Sequence, residues 1–563
     1  MFGFTIIYDY HNQKLPESDV RIDYKNPQSG RSHVFLHHMS DAFRNDKALF
    51  ETKTLIIGLD GFLLNLERLE KAFAVSGIIN LLNTLYDRYS DGFFDVLRGE
   101  FTGFVFDKAS GELFFYMNQT GTKAVFYVQS ENCFIVSPSL KELLSLSALF
   151  IQKPILDVDA AYSLLVMGGM TGNQTLAQDV RRLLAGEKLH WSAGTLSVTR
   201  YHDFNSVSTS IHSRKEAVTR LDELFRRNIQ LEYERDAAHA GQFVATLSGG
   251  LDSRMNVMAA NAMGIKTKNF CFSQPGYADQ RISQKISDDL GCPHAFVSLE
   301  EGNYVLEIDE NLAIHEGLVF YVSSAHYRYA LMRLPFPATS LIHTGQIGDA
   351  VLGGFMPKPN AKPDYYSKRL SSKLLHKLPA VQPQEWSSEE VFRIYNRLFN
   401  VTVSGSYVTE HMGMYLVSPF LEPDFIDLCL SLDPSLKVNS RIYIDWIREK
   451  RPDVARYTWE RTGFRPDAAW KTDMSVYTNK LKSAARRLTG SRMKHGMNPY
   501  DFWYMSNAAI RTFVHKQFTS NIHNLDNTEL KNDCVMLFEQ GNTIEKTLVL
   551  TLLSAMKYLG LKT

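Results

Sequence analysis

The chain has 563 residues, 44% of them hydrophobic and 12% aromatic, a composition that indicates a globular protein of several domains and excludes a disordered one. Its 61 basic residues balance its 61 acidic residues, so nucleic acid is not expected as a main partner. The 5 cysteines are scattered without a C-x-x-C pair, so neither a zinc knuckle nor a disulfide framework is indicated, and free thiols are typical of a reducing compartment. With neither a signal-peptide pattern nor roughly 18 consecutive apolar residues, the sequence predicts a cytoplasmic protein without membrane contact.

Short apolar runs separated by turn residues fill the first two hundred residues, and each has the length of a strand. The runs are FTIIYDY, TLIIGLDG, FTGFVFD, LFFYMN and AVFYVQ, and KASG between the third and the fourth predicts a hairpin turn. The stretch LERLEKAFAVSGIINLLNTLYDRY has the apolar spacing of a helix. Strands and helices in this order predict an α+β layered domain over residues 1–205, because polar residues at 205–213 interrupt the pattern.

A different pattern occupies residues 206–563. Ser213 and Glu216 have the spacing of a capping box and predict the start of a helix. The runs QFVATL, TKNFCFS, HAFVSL and SLIH alternate with helical patterns, which predicts an α/β domain with a parallel sheet. From about residue 366 onward the pattern is mainly helical. Within this part lies a basic run at residues 480–494, which we interpret as a solvated helix face or loop, not as a binding patch.

The most specific motif is SGGLDS, which joins the QFVATL strand to the following helix. Its glycines let the backbone approach an anion, and the helix N-terminus directs unpaired amides and a positive dipole end at the same place. An aspartate here would repel bare phosphate, so it predicts a bridging cation, most simply Mg²⁺. The structural alternative is a glycine turn with ordinary serine and aspartate caps, but the complete motif after a strand favours phosphate binding. The predicted phosphate-binding residues are Ser248, Gly249, Gly250, Leu251, Asp252 and Ser253.

A second glycine-rich cluster, TGQIGD followed by GGF, comes directly after the SLIH strand. Loops at the carboxyl ends of parallel strands share one rim, so Asp349 is expected to face Asp252 across a bound pyrophosphate. Two carboxylates at one site repel each other unless a metal ion lies between them, and both are therefore predicted Mg²⁺ ligands. Taken alone, this cluster is equally well interpreted as another glycine-rich turn.

These motifs resemble the asparagine synthetase family of PP-loop ATP pyrophosphatases, and the resemblance covers most of the chain. SGGLDS stands as in the family, TGQIGDAVLGGF at 344–355 is similar to SGEGADELFGGY, and residues 418–438 and 461–466 match further family segments. The resemblance implies a ligase that uses ATP and Mg²⁺ to adenylate a carboxylate and then forms an amide with ammonia or an amine. It also implies that adenine lies near Phe272 and Gly345, and that Gln346, Asp349 and Arg461 are catalytic.

The N-terminal half resembles the glutaminase domain of the same family, which is an αββα (Ntn-like) sandwich. The family's nucleophilic cysteine follows the initiator methionine, but here that position is Phe2. Where the family has N-G-E in its glutamine pocket, this chain has Asp60, Gly61 and Phe62. The resemblance therefore implies a structural, vestigial domain that does not hydrolyse glutamine.

The synthetase half departs from the family as well. Gln346 and Ala350 replace acidic residues, and Arg461 replaces a lysine, which keeps the positive charge but cannot give up a proton at neutral pH. These changes disfavour asparagine as the product and favour amidation of a small or sugar-linked carboxylate. His343 and His326 are further candidate bases, although histidines at such positions are more often structural. A cyclising amide synthetase of the β-lactam or lasso-peptide type, a tRNA-modifying PP-loop enzyme, a non-catalytic partner subunit and a homodimer remain open.

Overall fold

The computed structural model describes residues 2–8, 17–27, 30–130, 133–147, 154–239, 242–335, 341–357, 362–402, 404–468 and 496–563. The basic run at 480–494 lies outside these residues. None of the helices in the described ranges has both the length and the apolar character needed to span a bilayer.

Two antiparallel sheets form the N-terminal half. Its strands are β1 (Gly3–Tyr8), β2 (Val20–Lys25), β3 (Ser32–His38), β4 (Ala48–Glu51), β5 (Leu55–Leu63), β6 (Gly99–Asp107), β7 (Leu113–Met117), β8 (Phe126–Ser130), β9 (Cys133–Ser137), β10 (Arg181–Arg182), β11 (Glu187–Ser192) and β12 (Thr195–Arg200). Its helices are α1 (Leu66–Phe73), α2 (Ile78–Tyr89), α3 (Leu140–Ser147) and α4 (Val158–Met167). Over the described residues the strand orders are β10-β8-β9-β1-β3-β2 and β12-β11-β7-β6-β5-β4.

Aromatic side chains fill the space between the two sheets. Phe4 of the first sheet meets Phe104 of the second edge to face, with ring centroids 5.0 Å apart, in a core that both sheets share. Helices α1 and α2 cover the outer face of the second sheet, and α3 and α4 cover the first. This arrangement confirms the predicted αββα sandwich. The predicted long helical stretch is two helices, because Ala74 and Gly77 take positive φ angles between them.

The second half contains a parallel sheet of β13 (Phe243–Thr246), β14 (Thr267–Ser273), β15 (His294–Ser298), β16 (Leu341–His343) and β17 (Tyr415–Val417). The order β15-β14-β13-β16-β17 means that the chain moves outward from β13 to β15 and then returns to the other side of β13. Such a reversal opens a crevice at the carboxyl ends of β13 and β16, where α/β proteins bind ligands. The predicted α/β domain is confirmed. Strand β17 was not predicted, because it has only three residues and lies in a part predicted as helical.

Helices surround this sheet, and those from α10 onward form the predicted helical C-terminal part. They are α5 (Arg214–Ala237), α6 (Asp252–Ala262), α7 (Ala278–Leu290), α8 (Ile308–His315), α9 (Val322–Leu331), α10 (Glu389–Arg393), α11 (Ser404–His411), α12 (Pro423–Ser431), α13 (Pro434–Lys437), α14 (Arg441–Lys450), α15 (Pro452–Ala455), α16 (Tyr500–Ser506), α17 (Ala508–Asn521), α18 (Thr528–Gln540) and α19 (Thr543–Leu559). The predicted cap holds, since Ser213 accepts a hydrogen bond from the Glu216 amide at the start of α5.

The two halves pack against each other where α19, the last helix, meets α3 and α4. Leucines of α19 share one hydrophobic cluster with α3 and α4. Beyond α19, the Lys562 carbonyl accepts a 2.6 Å hydrogen bond from the Leu156 amide, and the Lys562 amide donates to the Pro154 carbonyl at 3.0 Å. The predicted boundary near residue 205 lies between β12 and α5, and it stays a prediction.

Candidate active site

The loop after β13 is closed by its own hydroxyl groups. The Ser248 amide donates to Ser253 Oγ at 3.0 Å, and the Gly250 amide donates to Ser248 Oγ at 3.1 Å. Neither Gly249 nor Gly250 has a positive φ, so Gly249 is needed for close packing and not for an unusual dihedral angle. A Cβ atom on Gly249 would lie 2.8 Å from Glu460 Cβ. The loop therefore presents bare backbone at the N-terminus of α6, where amides and the helix dipole favour an anion.

Asp252 and Asp349 lie side by side at the mouth of this loop. The Asp349 amide donates to Asp252 Oδ2 at 2.9 Å, and the Tyr443 hydroxyl donates to Asp252 Oδ1 at 2.8 Å. Burial and the charge of the Asp349 carboxylate raise the pKa of Asp252 to about 8. Each Asp252 oxygen keeps a second lone pair, so the carboxylate can still bind a cation.

The second glycine-rich loop is packed directly onto the first. A Cβ atom on Gly345 would lie 2.1 Å from the Asp252 carbonyl carbon, and one on Gly348 would lie 2.8 Å from Asp252 Cγ. Both distances are shorter than any side chain tolerates, so glycine is required at these positions for the two loops to meet. The side-chain amide of Asn256, from α6, donates to the Thr344 carbonyl at 2.6 Å and fixes the contact.

Arg461 lies on a turn that is anchored to the same loop. The Glu460 amide donates to the Gly249 carbonyl at 3.1 Å, and the buried Arg254 guanidinium donates to that carbonyl at 2.9 Å. The Arg461 side chain is exposed, and its guanidinium carbon is 5.6 Å from the Trp459 ring centroid. Its positive charge lowers the pKa of Asp252 and so acts against burial, which raises that pKa. An exposed, positively charged side chain thus stands beside the predicted phosphate site.

An open cavity of about 410 Å³ extends from the loops toward α9 and α11. Of the residues predicted from the sequence, the cavity wall contains Ser248, Gly250, Asp252, Ser253, Phe272, Gly345 and Gln346. Gly249, Asp349 and Arg461 lie outside the wall, next to it. The Leu251 side chain is buried in the hydrophobic core, so its predicted phosphate contact can come only from its backbone and stays a prediction.

Several wall residues were not predicted from the sequence. Asp279, in the first turn of α7, accepts a 2.8 Å hydrogen bond from the Gly249 amide, and burial raises its pKa to about 6. Its place just after β14 was the available signal, since loops after neighbouring parallel strands share a rim. Ser323 and Tyr327 of α9 and Ser404 of α11 also line the cavity, but nothing in their local sequence separates them from ordinary helix residues.

The two candidate histidines have different positions. His343 is fully buried outside the cavity wall, with Nε2 2.9 Å from Asp236 Oδ2 and its ring stacked on Tyr233 at 3.8 Å. It belongs to the core and is not placed to act as a base. His326 lines the cavity, and burial lowers its pKa to about 4, so it is neutral near pH 7.

In the described residues, no group of three or more His, Cys, Asp or Glu side chains is arranged to hold a metal ion. A cation at the Asp252 and Asp349 carboxylates would therefore take its other ligands from phosphate oxygens and water, as Mg²⁺ commonly does.

In the N-terminal half, Asp60, which the resemblance aligns with the family's glutamine pocket, forms buried ion pairs. Asp60 is fully buried, and its carboxylate lies 2.8 Å from Lys123 Nζ and 2.9 Å from His37 Nε2. Burial alone would raise the pKa of Asp60, but the Lys123 and His37 contacts outweigh it and lower the pKa. Phe62 packs on the Tyr415 ring at 4.8 Å. Asp60 and Phe62 thus each have partners within the protein.

Two family models and several curated proteins match this chain. Residues 60–202 match the family described as "Glutamine amidotransferase domain", and residues 234–451 match "Asparagine synthase". The chain is 20% identical over 435 residues to "Asparagine synthetase [glutamine-hydrolyzing] 2" of Oryza sativa subsp. japonica, covering 71% of this chain and 62% of that protein. It is 21% identical over 429 residues to "Asparagine synthetase [glutamine-hydrolyzing] 1" of Lotus japonicus, with shares of 71% and 62%.

The chain thus spans less than two thirds of the length of these two relatives. A solved structure, "Structure of the allosteric regulatory enzyme of purine biosynthesis", is 11% identical and covers 65% of this chain and 77% of its own, but its TM-score of 0.24 is too low to support an argument. Two family segments follow each other in the expected order, and the second contains the SGGLDS loop. The chain belongs to the asparagine synthetase family.

Proposed function

We propose that this protein is an ATP-dependent carbon–nitrogen ligase that adenylates a carboxylate, releases pyrophosphate and passes the acyl group to ammonia or an amine. The observation that carries the proposal is the contact between Asp252 and Asp349 beside the bare backbone of residues 248–251. A pair of acids next to an anion site is repulsive by itself, so the arrangement makes sense when a cation and a triphosphate are bound together.

The residues present fit Mg²⁺. The raised pKa of Asp252 reflects burial and the neighbouring Asp349 carboxylate, and a divalent cation between the two relieves that repulsion. Mg²⁺ would neutralise charge on the phosphate oxygens and hold the leaving pyrophosphate in line.

The protein's own groups position the reacting atoms. Amides at the N-terminus of α6 and the Ser248 and Ser253 hydroxyls bind the phosphates, and the Phe272 and Gly345 side of the cavity takes the adenine. A carboxylate oxygen of the substrate forms a bond to the α-phosphorus as the bond to the β-phosphate oxygen breaks. The nitrogen nucleophile then attacks the acyl carbon, AMP leaves and the nitrogen loses a proton. Arg461 stabilises negative charge in both steps, and Gln346 lies at the acyl end of the cavity.

Isotope exchange tests this proposal. Purified protein with Mg²⁺, ATP, labelled pyrophosphate and a panel of carboxylates should form labelled ATP in a carboxylate-dependent manner. We expect Asp252→Asn and Asp349→Asn each to lower the exchange rate at least about 100-fold, because each removes charge that holds the cation. Asp289→Asn, on the exposed face of α7, is the matched control and should retain parental exchange. Unchanged exchange in both site variants would refute the assignment.

We further propose that the N-terminal domain has no glutaminase activity. Phe2 supplies no nucleophile, and Asp60, Lys123 and Phe62 fill the corresponding pocket. We expect ammonium ions, but not glutamine, to support amide formation, and glutamate release to stay at the no-enzyme level. Phe2→Cys should not restore glutamate release, because a thiol does not empty the pocket. Glutamate release by the parent protein would contradict the proposal.

A further inference from the structure

Arg254, the third residue of α6, is a fully buried arginine that follows the phosphate loop. Its side chain is 0% exposed. Burial lowers its pKa to about 10, so the guanidinium stays positively charged near pH 7. A charge removed from water is strongly unfavourable unless its donors find acceptors inside the protein. The acceptors that it finds therefore show what this buried charge does.

The guanidinium joins two segments that lie far apart in the chain. Its Nη2 atom donates to the Gly249 carbonyl at 2.9 Å and to the Thr458 carbonyl at 2.8 Å. Its Nη1 atom donates to the Tyr457 carbonyl at 3.1 Å and to the Val454 carbonyl at 3.3 Å. All four acceptors are main-chain oxygens, so the contact fixes the backbone of both segments. A lysine could not do the same, because its ammonium group is a single point and not a planar fork.

The segment held by the guanidinium continues into the turn that carries Arg461. The Glu460 amide of this turn donates to the Gly249 carbonyl, so one oxygen of the phosphate loop receives both the turn and the guanidinium. The turn is thus attached to the loop at two points. From this position the charge of Arg461 reaches the Asp252 carboxylate, whose pKa it lowers.

We propose that Arg254 is a positioning residue for adenylation, which holds the turn so that Arg461 stands beside the phosphate groups of the bound nucleotide. This inference rests on the proposed function, because that is the reaction in which Arg461 stabilises charge. Arg254 acts through the backbone of the turn. A cation stabilises developing charge best when it is already in place, so displacing the turn lowers kcat more than it weakens ATP binding.

The kinetics of Arg254→Lys and Arg254→Gln test the proposal. Lysine keeps the charge and glutamine keeps two donors, but neither can join both segments. We expect each variant to lower kcat for pyrophosphate exchange about 100-fold, since a small displacement of a catalytic group has effects of this size. The KM for ATP should change little, because the amides at the start of α6 remain. Arg456→Lys, at an exposed position of the same segment, is the matched control and should behave as the parent.

A double variant separates positioning from an independent effect on the reaction. Arg254→Lys combined with Arg461→Gln should be no slower than Arg461→Gln alone, because the side chain that is misplaced has already been removed. Independent effects would multiply to a loss of about 10,000-fold. Multiplied losses, or an Arg254→Lys protein with the parental rate, would overturn the role of Arg254 and leave adenylation standing.

Hydrogen exchange in the parent protein tests the same contact without a substitution. Peptides that cover residues 454–464 should be protected as strongly as peptides of α6 and should lose protection together with them as urea is added. Fast hydrogen exchange at 454–464 while α6 stays protected would refute the proposal even if no variant folds. The expected protection in a protein that forms no labelled ATP with any acid would instead contradict the proposed function, and with it the catalytic purpose of the contact.

Discussion

Asp279 shows how one buried carboxyl group makes the stability of the ligand-free protein depend on pH. Its pKa is raised to about 6, mainly by burial, while it accepts a hydrogen bond from the Gly249 amide. The folded protein holds this proton more tightly than the unfolded chain does. The protonated Asp279 carboxyl therefore contributes its full stabilisation of the folded state below about pH 4. This contribution declines as the pH rises through about 6, and the folded state stays less stable above that pH.

We predict that Asp279→Asn stabilises the ligand-free protein at pH 8 but not at pH 4. Asparagine can still accept the Gly249 hydrogen bond, and it does not ionise. The gain should be of the order of 1–3 kcal/mol, or a rise of a few degrees in Tm, measured by calorimetry in the presence of EDTA. Asp288→Asn, on the same helix, serves as control. A variant that gains equally at both pH values would contradict the ionisation argument.

Arg461 gives a second test at this scale. Its guanidinium is exposed on a turn fixed to the Gly249 carbonyl through Glu460. If it stabilises phosphate charge and transfers no proton, Arg461→Lys should retain about a tenth or more of the exchange rate, whereas Arg461→Gln should lose about 100-fold. The slope of rate against pH should be the same in parent and lysine variants. A lysine variant as inactive as the glutamine variant would show that charge alone is insufficient.

At the scale of elements, the loop after β16 depends on glycine because it touches the start of α6. A Cβ atom on Gly345 would lie 2.1 Å from the Asp252 carbonyl carbon and 2.2 Å from the Ser253 amide nitrogen, both backbone atoms that cannot rotate away. We predict that Gly345→Ala costs about 1–3 kcal/mol and abolishes pyrophosphate exchange, because the two loops must separate. Gly92→Ala, where a Cβ atom meets nothing within 4 Å, should be neutral in urea unfolding. A fully active Gly345→Ala protein would contradict the packing argument.

Much of this element-level organisation was predictable from the sequence. The runs QFVATL and SLIH, each followed by a glycine-rich loop, predicted β13, β16 and the meeting of Asp252 with Asp349, because parallel strands end on one rim. The three-residue strand β17 was not predictable, since its hydrogen bonds depend on β16 and not on local spacing. The place of Tyr327 in the cavity wall and the ion pairs of Asp60 were not predictable either, because each depends on residues far away in the chain.

At the scale of the whole molecule, a buried ion cluster joins the two halves. Lys123 Nζ lies 2.8 Å from the Asp60 carboxylate and also contacts Glu410 of α11, the helix that begins beside the cavity. We predict that Lys123→Met costs about 3–5 kcal/mol in chemical denaturation, because two buried carboxylates lose their counter-ion. Lys285→Met, which breaks an exposed pair with Asp289, should change the midpoint little. Equal midpoints for both variants would show that the cluster does not stabilise the interface.

The contact of α19 with α3 and α4 has a consequence for biosynthesis. Residues near 140–167 gain their apolar covering, and the Pro154 to Leu156 backbone gains its partner at Lys562, only after some four hundred further residues have been translated. The sandwich that is made first therefore leaves the ribosome with one face uncovered. Expressed alone, the N-terminal half should expose this face, and the C-terminal half should expose the matching face of α19. Each half should therefore bind chaperones, and both should become soluble only when they are produced together.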